Sequence, residues 1–130
     1  MQNQMKTKTR LAYIQFIFST FFSNDEAIDE TEHFQKYFYN LSIPTTNKDQ
    51  ETIFEFNKNF FTKLSLSYFK FIKKNNINEL MDSLINFDRK YKNWSFINKS
   101  IILAIFSEIE ISKKDKIKIL INDYLNISKS

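Results

Sequence analysis

Lys6, Lys8 and Arg10 place three cations within five residues, beside no acid and just ahead of an apolar run. Such a cluster can neutralise phosphates and give salt-dependent RNA binding, and its plain alternative is a solvated tail. Lys63, Lys70 and Lys74, with Lys73 beside them, recur at near-helical spacing and form either a second cationic strip or a solubilising face. Glu108 and Glu110, like Asp25 and Glu26, stand too close in sequence to make a catalytic carboxylate pair by themselves. The chain has no cysteine and one histidine, His33, so thiol catalysis, Cys-ligated zinc, iron–sulfur clusters, imidazole metal sites and Ser-His hydrolysis all lack material. It also has no glycine, and phosphate-cradling loops need glycine where the backbone turns with positive φ against the ligand. No constellation supports an enzyme, a cofactor, a metal or a small-molecule substrate.

The elements that must position these residues are helical. Zero Gly and one Pro starve the chain of hairpin turns, and 130 residues with 42% hydrophobic content are enough for one core. The expectation is a single all-α domain over residues 10–130, led by a basic N-terminal arm over residues 1–9, with about six helices. Leu11, Ile14, Phe18 and Phe21, with Ile17 and Phe22 widening the stripe, predict a first amphipathic helix from about Thr9 to Phe22. Asp25, Glu26, Asp29, Glu30 and Glu32 load the first turns of a second helix, whose buried side is Phe34, Tyr37, Phe38 and Leu41. Ser42 to Asp49, including Pro44, reads as the clearest loop and separates two helical subassemblies. A third helix is predicted from about Gln50 to Lys74, ended by Asn75-Asn76. A short fourth runs through Ile77, Leu80, Met81, Leu84 and Ile85, and Trp94 to Glu108 is apolar enough to be the central helix. A last amphipathic helix spans Lys113 to Ser130.

The basic start and the run Leu11–Phe22 superficially match a secretory signal, but Phe21 to Asp25 offers no small-residue cleavage site and the run is too short to span a bilayer. The expected location is cytoplasmic, with no membrane partner. Lys outnumbers Arg seventeen to two, so phosphate contacts would come mainly from point charges and seldom from the planar fork that grips phosphate bidentately.

Three ordered segments resemble the NusB family of transcription antitermination proteins. Arg10-Leu11-Ala12-Tyr13-Ile14-Gln15-Phe16-Ile17-Phe18 is similar to the family's "R..A.QaLY" first helix, and Asn57 to Leu64 to its "..r.ff..lv" segment. Asn98 to Ile109, followed by Lys118 to Ser130, resembles "aiLr.a.yEl" and "kvvInEyvelAksf". The resemblance implies a NusB-type fold of two small helical bundles. It also implies a factor that binds boxA-like RNA in ribosomal RNA leaders with the ribosomal small-subunit protein NusE, as part of an RNA polymerase antitermination complex. Carried over, the basic motif falls on Lys6, Lys8 and Arg10 as RNA contacts, and the partner-facing aromatic on Phe18, with Phe22 one turn further. Leu103 stands where the family has Arg and Ser107 where it has Tyr. The family pattern continues past the position of Ser130 with an aromatic residue and a last helix, so an uncovered apolar patch is expected. The alternative function is a degenerate helical protein-interaction module that has lost RNA binding.

Overall fold

Period-3.6 patterning dominates the sequence, and the computed structural model builds five α-helices among the residues it describes, which are 3–22, 42–44, 51–53, 56–84 and 89–129. They are α1 (Asn3–Thr20), α2 (Lys58–Lys74), α3 (Ile77–Leu84), α4 (Phe96–Glu110) and α5 (Ile117–Lys129). Short 3-10 turns at Tyr91–Asn93 and Lys114–Lys116 lead into α4 and α5. The chain is all-α in class. The acid-rich second helix expected from Asp25 to Leu41, and His33 within it, lie outside the described residues.

Three expectations need correction. Residues 3–9 of the expected arm are helical, because α1 already begins at Asn3. Polar tertiary contacts hold its first turns where no apolar period exists: Thr9 Oγ1 donates to the Met5 carbonyl (2.7 Å) and accepts the Asn57 N–H (2.9 Å). The predicted loop and the predicted start of the third helix give way to a small antiparallel ladder, β1 (Ser42–Pro44) with β2 (Glu51–Ile53), in the register Ser42↔Ile53, Ile43↔Thr52, Pro44↔Glu51. Helix α2 therefore starts only at Lys58, where the Asn57 side chain caps it by accepting the Phe60 N–H at 2.8 Å. Asn75 ends it, its backbone and side-chain N–H groups both donating to the Phe71 carbonyl.

The third correction concerns which side of α1 is inside. Of the predicted stripe, Ile14 and Ile17 are buried and Phe21 packs against the core, but Leu11 is only half-buried and Phe18 is exposed. The buried apolar set is Ala12, Tyr13, Ile14, Phe16 and Ile17, again at three- and four-residue spacing. Both stripes are apolar, and only the neighbours decide between them. Helix α1 lies against α2 and α4, and α4 also packs on α2 and α5. Phe16 anchors the core with edge-on contacts to Phe61 (5.6 Å between ring centroids) and Phe69 (5.9 Å), while Phe71 stacks on Phe106 at 6.3 Å. Tyr91, Met81, Leu103, Leu120 and Tyr124 complete it.

One core group is poorly matched. The Tyr91 hydroxyl is buried and finds no hydrogen-bond partner among the described residues. Burial also raises its pKa. Removing an orphaned hydroxyl relieves its desolvation penalty, so Tyr91→Phe is expected to raise unfolding free energy by about 1–2 kcal/mol in a denaturant titration. A loss of stability would show that the hydroxyl is in fact bonded.

Candidate functional site

The end of the bundle formed by the N-terminal half of α1, the C-terminal end of α4 and helix α5 is built around one buried guanidinium. Arg10 is 7% exposed and Glu108 3%. Arg10 donates from Nε to Glu108 Oε1 and Oε2 (3.0 and 3.2 Å), from Nη2 to Glu108 Oε2 (2.6 Å) and from Nη1 to Asp123 Oδ2 (2.7 Å). Tyr124 donates its hydroxyl to Glu108 Oε1 at 2.7 Å, and Thr7 donates to Asp123 Oδ1 at 2.9 Å. The Phe60 and Tyr124 rings flank the guanidinium at 5.7 and 5.6 Å. Burial alone disfavours the Arg10 charge, but the hydrogen bonds to Glu108 and Asp123 more than offset it and hold its pKa above the ordinary arginine value.

Nearby, a second buried polar set ties three helices. Tyr13 and Ser107 share a hydrogen bond between their hydroxyls, and Ser67 donates to the Ser107 carbonyl at 2.6 Å. Burial keeps the Tyr13 phenol protonated well above its usual range, the Ser107 hydrogen bond opposing it only in part, and burial beside the Glu108 charge does the same for Tyr124. Tyr13 and Tyr124 are buried and held in pairs by Ser107 and Glu108, whereas Ser67 and Glu108 also line grooves. Among the described residues no three His, Cys, Asp or Glu side chains gather as a metal site, and no helix is long and apolar enough to cross a membrane.

The three arm cations do not form one patch. Arg10 is turned inward, so its expected place at an RNA phosphate is corrected: both faces of its fork are already taken by carboxylates. Lys8 is exposed and Lys6 half-buried. Lys6 lines a groove of about 480 Å³ between the start of α1 and helix α5, together with Lys113 and Lys116. Lys63, Lys70 and Lys74 line a second groove of about 490 Å³ whose floor is Leu66, Phe71 and Ile111, while Lys73 lies outside it.

Phe18 and Phe22 are brought together at the other end of α1. Their rings lie 5.1 Å apart, and Phe22 meets Phe96 at the start of α4 edge-on at 5.2 Å. Phe22 is 61% exposed, Phe96 44% and Ile97 47%, so this is an open aromatic surface. Phe96 and Ile97 were not foreseen, because the apolar run of α4 reads as core throughout. The signal available was their place in the first turn, before the helix dives between α1 and α2. Ile119 and Leu125 are likewise exposed on α5.

Compared with models of protein families, with curated proteins and with solved structures, the chain finds no match.

Proposed function

We propose that this chain is an RNA-binding adaptor of the NusB kind, acting in the cytoplasm with NusE on boxA-like RNA within the RNA polymerase antitermination complex. The observation that carries the reading is the convergence on Arg10. The Arg of "R..A", the acid of "yEl" and the acid of "InE" fall on Arg10, Glu108 and Asp123, and these three meet in one buried ion-pair cluster although they are 98 and 113 residues apart. Three weak patterns that resemble one family thus have their charged positions in mutual contact, which unrelated helical text has no reason to produce. The reading includes the family's arrangement of two small helical bundles.

In mechanism the protein works by mass action. Surface lysines, the half-buried Lys6 and the exposed Lys8 among them, supply a sequence-independent phosphate attraction, and the paired ribosomal protein adds RNA surface and holds it in place. The partner seats on the aromatic surface of Phe18 and Phe22. Large exposed aromatics of this kind are the usual hot spots of protein interfaces.

The test is a titration against boxA-containing and scrambled RNA, with and without NusE, at two salt concentrations. The expected result is weak, strongly salt-dependent binding alone and tight, boxA-preferring binding with NusE. Phe22→Ser is expected to weaken NusE binding at least tenfold while leaving the thermal midpoint almost unchanged, since the ring is mostly in solvent. Equal affinity of wild type and variant for NusE would remove this surface from the proposal.

The withdrawal of Arg10 from solvent favours one alternative, a protein-interaction module without RNA binding, because it leaves a smaller cationic patch than the sequence suggests. NusE binding without RNA binding would identify it.

A further inference from the structure

We infer that the groove between α1 and α5 is a seat for the sugar-phosphate backbone of single-stranded RNA, and that Lys113 and Lys116 are its main cations. This deepens the RNA-binding reading and rests on it, but assigns the contact to residues outside the basic arm.

Electrostatics carry the inference first. The groove is lined by four cations, Lys6, Arg10, Lys113 and Lys116, and by two carboxylates, Glu108 and Asp123. Both carboxylates are held by Arg10 at 2.6–2.7 Å. Neither Lys6, Lys113 nor Lys116 has an ion-pair partner among the described residues. Four cations against two carboxylates leave the lining with a net positive charge, and both carboxylates are engaged by Arg10, so the three lysines leave the groove attractive to an incoming anion. The positive end of α5, at Ile117, adds to the same field.

The remaining lining selects the class of anion. Asn3, Asn122 and Asn126 carry side-chain amides, each both donor and acceptor, which suit ribose hydroxyls and base edges as well as phosphate oxygens. The volume, about 480 Å³, lies in the range of ligand sites. Phe60, Ile119 and Leu120 add apolar surface against which sugar rings or bases can lie.

The position of the lysines also explains why the sequence pointed elsewhere. Lys113 and Lys116 precede the last helix in a turn that reads as a mere connection, and only the fold sets that turn beside Lys6, more than a hundred residues away.

The experiment compares the full chain with Lys113→Gln/Lys116→Gln and with a control of equal charge change, Lys90→Gln/Lys92→Gln, at two exposed lysines outside the groove. The first probe is a twelve-nucleotide uridine oligomer without NusE, and the second is boxA RNA with NusE. Two lost phosphate contacts should weaken oligomer binding roughly tenfold or more at about 0.1 M salt and lower the salt slope by about 1.4, with the control within about twofold of wild type. The groove is overturned if both pairs weaken binding alike, if Lys113→Gln/Lys116→Gln has no effect, if wild type does not bind the oligomer, or if an oligoglutamate of equal charge binds as tightly. Failure of the antitermination reading looks different: the oligomer still binds through Lys113 and Lys116, but NusE brings no preference for boxA.

Discussion

Arg10→Met is expected to destabilise the protein by about 3–5 kcal/mol, because it leaves Glu108 and Asp123 together without their cation. Glu108 is almost wholly buried and, among the described residues, keeps only the Tyr124 hydroxyl as a side-chain partner after the change. For a domain that unfolds at roughly 5–15 kcal/mol this is a large share, and a fall in thermal midpoint of more than about 10 °C follows. The same substitution combined with Glu108→Gln and Asp123→Asn should recover most of the loss, since the cost lies in the unpaired charges and not in the absent bridge. Chemical denaturation followed by circular dichroism measures both. A loss under about 1 kcal/mol for the single variant would mean that the cluster is hydrated and contributes as little as a surface pair.

Raising the pH should unfold the chain steeply. Burial raises the pKa of Tyr13, Tyr68, Tyr91 and Tyr124 above the ordinary phenol value of 10.0. The unfolded chain gives up these protons from about pH 10 while the folded chain keeps them, so the folded state binds more protons and stability falls as pH rises. The stabilisation is complete below the unfolded value and is lost on the alkaline side. Each tyrosine contributes about 1.4 kcal/mol per pH unit there, and the four together outweigh typical folding stability within about two units. Phenolate absorbance and helical circular dichroism should therefore change in one cooperative step between about pH 10 and 12. Gradual phenolate formation with unchanged helicity would contradict the burial of these rings.

Much of the helical frame could be read in the sequence, because apolar spacing, Asn75-Asn76 and the missing glycines are local signals. Helix α3 begins at Ile77 as its pattern predicts, and α4 lies within two residues of its predicted bounds. What failed was non-local. The inner face of α1 was legible only in part: Ile14 and Ile17 of the expected stripe are buried, but Phe16 competes with Leu11 and Phe18 as equally apolar, and packing against Phe61 and Phe69 decides for Phe16. Residues 3–9 gave no period because hydrogen bonds from Thr7 to Asp123 and from the Asn57 N–H to Thr9 hold that end in place of apolar contacts. Glu108 did leave a trace: a lone carboxylate at the end of the apolar run from Ile101 to Ile109 is costly unless a cation meets it. Which cation that would be was beyond any periodicity.

The Arg10 cluster also sets a clock on the protein's birth. The guanidinium is made 98 residues before Glu108 and 113 before Asp123. At roughly 5–20 residues per second, on the order of ten seconds pass in which α1 exists without either counter-charge. A helix carrying an unpaired cation on its inner side cannot be buried at equilibrium, so its docking waits for the last helices to emerge from the ribosome. An interrupted chain consequently displays Tyr13, Phe16 and Ile17 to solvent, the kind of surface that chaperones and proteases act on.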